Sequence, residues 1–172
     1  MTRAEAKALF LRYLGEATVN GSEKNDLDLA DQFDRFLYPA MVQTAALYPA
    51  LETAEAGTEW QAPENLVEIT RTAGAAGQSV AFHRLGARTF IFEEPCTVVY
   101  SRAPAVPREG DGAVLDLDER AAQLVPLQIA IHAAASSPEH AWQTAYLTAS
   151  YNAMHAALDA RDAVTFRRRY AV

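Results

Sequence analysis

The sequence predicts an α+β protein: a helical bundle of about four helices with an inserted antiparallel β-meander. Three observations carry that reading. Alanine makes up about one residue in five of the 172, and it concentrates in the first and last thirds. The middle third is richer in Val, Ile, Phe, Thr and Arg. Apolar residues recur at helical spacing in the outer thirds and alternate in the middle. The expected layout is helices over 1–57, a small β subdomain over 58–107, helices again over 108–164, and a basic tail over 165–172.

The first helix is predicted from Thr2 to Glu16, with Ala6, Leu9, Phe10, Tyr13 and Leu14 on one stripe. Thr2 followed by Glu5 has the spacing of a capping box, and Val19–Ser22 reads as the turn that follows. The second helix starts near Asn25 or Asp26. Asp26, Asp28 and Asp31 crowd its first turns, where the helix dipole favours negative charge. Phe33, Leu37, Ala40 or Met41, Thr44 and Leu47 or Tyr48 form its buried face. Pro39 predicts a kink, and Pro49 an end or a second bend before Ala50–Ala56, with Gly57 closing the segment.

Period-two patterning then predicts four strands, at Leu66–Arg71, Ser79–Leu85, Arg88–Glu94 and Cys96–Arg102. Gly86-Ala87 suits a type II′ hairpin turn. The loop Thr72–Gln78, with Gly74 and Gly77, is expected to be the most mobile part of the meander. Pro104–Asp111 is a linker. A third helix is predicted over Leu115–Ala135, capped by Asp116 or Asp118 and kinked or broken at Pro126. The last helix is predicted over Pro138–Arg161, with Ser137 as its cap. It carries two apolar stripes. One is Trp142, Tyr146, Ala149, Ala153 and Ala156; the other is Leu147, Tyr151, Met154 and Leu158. A helix apolar on two sides needs cover on two sides, so the core and a partner surface are both implied.

Composition excludes several classes. Half of the residues are apolar and 22% are charged, which suits a globular core rather than a disordered chain. A single cysteine, Cys96, argues against a disulfide scaffold or a cysteine-based zinc site. The net charge of −7 leaves no electrostatic footprint for nucleic acid or an anionic membrane. The first 17 residues lack the apolar run of a signal peptide, and no stretch approaches a membrane span. The expectation is a soluble protein made in a reducing compartment.

Chemical motifs are sparse. His83, His132, His140 and His155 lack the spacing of a zinc helix. Asp26, Asp28, Asp31 and Asp34 do not fit a calcium loop, whose sixth position is Gly and twelfth Glu; Asp31 and Leu37 stand there. Gly74–Ser79 lacks the lysine and the following helix of a phosphate loop. Cys96 and His83 could pair as thiol and base, but no orienting acid or oxyanion hole accompanies them. Arg167, Arg168 and Arg169 form a basic run on an otherwise more acidic chain, suited to an acidic protein surface rather than to DNA. No catalytic residue, metal ligand or cofactor site is assigned.

Three stretches carry a family resemblance. They are the acidic start of a long helix, Lys24–Phe33; the β-rich insert with Phe90-Ile91-Phe92 and Thr97-Val98-Val99-Tyr100; and Glu119–Ala130, an acidic then apolar passage through Leu124-Val125-Pro126 into an alanine-rich helix, with an aromatic final helix after it. The layout resembles the head–tail adaptor (head-completion or connector) proteins of tailed bacteriophages. The resemblance implies a virion structural protein rather than an enzyme. It would be made in the bacterial host cytoplasm and would form a ring, usually a dodecamer, below the portal. That ring would extend the DNA channel toward a tail or stopper protein, and DNA would pass without specific binding. Arg167, Arg168 and Arg169 would then reach the portal, with Trp142, Tyr146 and Tyr151 at protein contacts. Asp26, Asp28, Asp31 and Asp34 would be candidates for the channel lining, where carboxylates repel phosphates. Two other readings remain at this stage. One is a small hydrolase or transferase whose site is assembled from distant residues. The other is a ligand- or glycan-binding module using Trp60, His83 and Tyr100 of the β insert.

Overall fold

The computed structural model describes the backbone over 1–15, 26–110, 112–138 and 140–170, and side chains over 1–15, 29–110, 112–138 and 140–160. The chain is α+β and divides into two compact units. Residues Met1–Leu47 and Val106–Val172 form a helical unit, and Tyr48–Ala105 a β unit.

Among the described residues the helical unit is built on four α-helices, α1 (Arg3–Tyr13), α2 (Asp26–Leu47), α3 (Leu124–Ser136) and α4 (Thr144–Tyr170). The capping box at α1 forms as its spacing implies. Glu5 N–H donates to Thr2 Oγ1 at 3.2 Å, and Thr2 N–H donates to a Glu5 carboxylate oxygen at 2.7 Å. These bonds with the Thr2 backbone and side chain hold the Glu5 carboxyl below its ordinary pKa. A carboxylate with a lowered folded-state pKa stabilises above its unfolded value and stops doing so as pH falls through the lowered one. Thr2→Ala should cost about 1 kcal/mol, because the Glu5 N–H loses its cap. The stabilisation tied to the Glu5 carboxylate should fade as pH falls through the carboxylate range in the parent and be absent from Glu5→Gln, as urea melts at neutral and acid pH would read. An identical pH dependence of parent and Glu5→Gln would contradict the coupling.

α3 is the centre of the bundle. Leu124, Val125, Pro126, Leu127, Ile129, Ala130, Ala133 and Ala134 are all buried on it, and α1, α2 and α4 pack against it. Its sequence explains the position: from Ala121 to Pro138 there is no Asp, Glu, Lys or Arg. A helix apolar on every side can be satisfied only by neighbours on every side. Phe10 of α1 and Phe33 of α2 meet with ring centroids 5.6 Å apart. Leu37, Met41, Leu115 and Leu147 extend the same core. Thr44 is buried among them and donates to Gln128 Oε1 at 3.2 Å. The segment before α3 is stitched to the N-terminus: Arg3 N–H donates to Ala113 O at 2.7 Å, and Leu115 N–H to Met1 O at 3.0 Å.

Three helix boundaries differ from the sequence reading. α3 starts at Leu124 rather than Leu115, after a 3-10 turn at Ala121–Gln123. Asp118, of the two proposed caps, accepts from Arg120 N–H and Ala121 N–H at 2.9 and 3.2 Å. Pro126 thus falls in the first turn of α3, where no amide partner is lost, and it opens the helix instead of breaking it. Likewise Pro138 lies in a turn and not at the start of α4. A 3-10 turn at Ala141–Gln143 intervenes, and α4 begins at Thr144. α4 also continues to Tyr170, so the stretch read as a tail extends the helix.

The β unit holds six strands, β1 (Ala50–Ala56), β2 (Glu59–Gln61), β3 (Leu66–Ala73), β4 (Phe82–Arg84), β5 (Thr89–Phe92) and β6 (Cys96–Arg102). They form two three-stranded antiparallel sheets, ordered β1-β6-β3 and β2-β5-β4, in place of the single four-stranded meander expected. β1 is the principal correction, because Ala50–Ala56 was read as the end of a helical segment. Pro49 detaches it from α2, and all seven residues pair in unbroken register with β6, from Ala50↔Arg102 to Ala56↔Cys96. Pairing on a half-buried sheet outweighs the helical preference of Ala and Glu. The β4–β5 link is not a type II′ turn either. Gly86 is absent from the glycines at positive φ, and Arg84 pins the link by donating from Nε to Gly86 O at 2.8 Å and from its other nitrogen to Ala87 O.

Trp60, Phe90, Phe92, Val98 and Tyr100 close the interior between the sheets. Thr72 is buried, donates to Val80 O at 2.7 Å and accepts from Val80 N–H at 3.2 Å, tying β3 to the segment before β4. The loop expected to be most mobile carries its own bonds, with Gly74 N–H donating to Gln78 O at 2.9 Å and Gly77 at φ +81°.

Candidate interaction surface

α4 sorts its residues cleanly between two sides. Leu147 and Leu158 are buried against the bundle, with Tyr151, Met154 and His155 half-buried between them. The opposite side is exposed over its whole described length: Tyr146, Ala149, Ala153, Ala156 and Ala160, with Trp142 in the turn just before. Trp142 is 77% exposed and Tyr146 72%. Successive members of this stripe stand four and three residues apart by turns, the spacing of a helix-packing seam. No Asp, Glu, Lys or Arg occurs from His140 to Leu158. An exposed helical face without charge is unusual for a chain that is 22% charged. Large exposed apolar patches mark places where something binds.

A second exposed face lies on α2, and the sequence reading passed over it. Arg35, Pro39, Val42 and Ala46 are exposed at the same four–three spacing, beside Leu47, which is 52% exposed. From Phe36 to Leu51 the chain again has no charged residue. The signal was available. Reading Pro39 only as a kink drew attention to the buried face and hid the outer one.

The residues singled out from sequence are distributed unequally. Trp142 and Tyr146 do lie together on the free side of α4. Tyr151 does not join them, because it packs on the bundle core, 6.2 Å from the His155 ring, and burial pushes its hydroxyl pKa up. Arg167, Arg168 and Arg169 lie in the last turns of α4, and their side chains fall outside the described residues, as do those of Asp26 and Asp28. Asp31 and Asp34 are exposed on α2, and Asp34 pairs with Arg3 at 2.5 Å.

The β unit presents no comparable face for the residues proposed as ligand contacts. Trp60 and Tyr100 face the interior, 5.6 Å apart between ring centroids. The Tyr100 hydroxyl donates to Glu52 at 2.8 Å, while burial and the Glu52 carboxylate raise its pKa. His83 is exposed on β4. An open groove of about 420 Å³ lies along β3, with Val67, Phe82, Arg84 and Arg88 in its wall. Its cations are engaged: Arg84 with backbone carbonyls, Arg88 with Glu64 at 2.7 Å. Among the described residues no group of three or more His, Cys, Asp or Glu is placed to hold a metal ion.

Cys96 is buried at the start of β6. Burial, then the nearby carboxylates of Glu55 and Glu94, push its thiol pKa up. Thiolate is the reactive form, so Cys96 should react with a disulfide reagent only after denaturant unfolds the protein. Prompt labelling of the native protein would contradict that burial. No helix among the described residues is long and apolar enough to cross a membrane.

No family model matches the chain, and no curated protein matches it.

Proposed function

We propose that the protein is a structural head–tail adaptor of a tailed bacteriophage, assembling as a ring below the portal and carrying the DNA channel toward the tail. One observation carries the reading: the uncharged, fully exposed stripe of α4, opposite the side that packs in its own bundle. A protomer that works alone has no use for two apolar helix faces, whereas a ring subunit uses one inward and one sideways. The resemblance of Lys24–Phe33, of the β-rich insert and of Glu119–Ala130 to such proteins points the same way.

The net charge of −7 suits a conduit, since cations gripping phosphates would hold the DNA by counterion release. The chemistry in this reading is assembly alone, and the site residues are those that touch another protein.

The test is assembly itself. Mass photometry over a concentration series, with negative-stain imaging of large species, should give closed rings with a central hole, alone or on portal rings from the same genome. A protein that neither self-associates nor is retained by portal rings is not an adaptor.

A further inference from the structure

We infer that the ring contact is an antiparallel helix pair in which the outer face of α4 of one copy lies on the outer face of α2 of the next. The inference rests on the adaptor reading for the existence of a ring, and on three features of the two helices for the contact.

The first is spacing. Ala149, Ala153, Ala156 and Ala160 on α4 are separated by four, three and four residues, and so are Ala46, Val42, Pro39 and Arg35 on α2, read backward. Run antiparallel, these positions meet one to one, Ala149 on Ala46 and Ala153 on Val42. Every one of them is exposed in the single chain. Alanine on one side and mostly small side chains on the other permit a close interaxial approach.

The second is charge. In this register the uncharged parts of the two helices overlap and the charged parts also coincide. The turn of α4 that holds Asp159 comes to Arg35. The turn that holds Arg161 and Asp162 comes to Asp31 and Asp34. Further along, Arg167 and Asp28 each continue the four–three spacing of their own helix and meet one to one. Sliding the helices by seven residues keeps the spacing but sets Arg35 against Ala153, leaving a cation on an alanine surface. The parallel orientation carries the arginines away from the acidic turns. Charge complementarity thus fixes both direction and register.

The third is area. Trp142 and Tyr146 reach past the C-terminal end of α2, near the exposed Leu47. The two aromatics alone offer roughly 300 Å² at the 150–250 Å² an aromatic side chain can bury, against about 800 Å² per partner for a standard interface. The contact joins two different faces, so it is heterologous and propagates around an axis.

Cysteine cross-linking tests it on the full-length protein, in which the native Cys96 is buried. Ala153→Cys and Val42→Cys are exposed substitutions on separate copies. Mixed and oxidised, they should give a covalent dimer that neither variant gives alone, and the double variant should give a ladder. Arg167→Glu should cause loss of the mixed band, and Asp28→Lys in the partner should restore it. A band from Ala153→Cys alone would mean α4 on α4 and would overturn the inference. A Tyr146→Cys band with Val42→Cys in place of the Ala153→Cys band would overturn the register. Rings that form without any mixed band would remove this contact and leave the adaptor reading standing. No band and no self-association at the highest soluble concentration overturns the contact; portal capture then decides the adaptor reading separately.

Discussion

Ala153→Glu, combined with Tyr146→Glu, should yield a folded protein that no longer associates. Both positions are exposed in the single chain, so the substitutions should shift its stability by no more than about 0.5 kcal/mol. In a packed helix–helix contact, each new carboxylate would be taken out of water without a cation beside it. An uncompensated buried charge costs about 3–5 kcal/mol, so a single one should weaken association by roughly 10²–10⁴-fold. The readout is a pair of measurements, a melting curve that coincides with the parent's and a mass distribution reduced to the single chain. Persistence of large species with these two charges in place would remove the α4 stripe as an assembly surface. The conservative control is Ala153→Ser, which adds a hydroxyl but no charge and should retain most of the association.

The second large effect belongs to the core. Phe33 is fully buried and packs on Phe10 at a tilt of 49°. Phe33→Ala removes the ring and leaves a hole among Phe10, Leu37 and their neighbours that the bundle can only partly close. Such changes cost about 3–5 kcal/mol, a large share of the 5–15 kcal/mol that typically separates folded from unfolded domains. A urea melt should show the midpoint falling by a large fraction of its value. Val42→Ala, nine residues further along the same helix but on its exposed face, should move the midpoint little. Equal effects at the two positions would mean that the assignment of the inner and outer faces of α2 is wrong.

Much of the helical unit was legible because helical spacing reports burial directly. Phe10, Phe33, Leu37 and Leu147 all stand on the stripes that the period selects, and all are buried. The Thr2–Glu5 box was legible for a similar reason, since three residues suffice to specify it. β1 was not legible. Ala50–Ala56 contains Ala and Glu at positions where no local rule demands a strand, and its conformation depends on β6, whose paired residues lie 40 to 52 positions downstream. Pro126 misled in the other direction, because a proline is read as a break unless the start of the helix is already known. Both α4 stripes were legible from the spacing, which sets Tyr151 with Leu147 and Leu158; naming Tyr151 beside Trp142 and Tyr146 as a protein contact grouped aromatics instead of following that spacing. The outer face of α2 was missed because the stretch without charge was not sought separately from the apolar stripe.

The pairing of β1 with β6 has a consequence for how the chain reaches this structure. Ala50 lies opposite Arg102, and Ala103 N–H donates to Asn65 O at 2.8 Å, so the β unit delivers its two ends side by side. Cα atoms facing each other across an antiparallel pair stand about 4.5–5.5 Å apart. Without that closure, α2 and α3 would have to find each other across a long flexible loop, whose entropy cost grows with the logarithm of its length. Once β1 and β6 have joined, only Tyr48-Pro49 and the stretch 103–123 separate α2 from α3. The β unit therefore acts as a folding clasp: once formed, it shortens the loop that the α2–α3 pairing has to close.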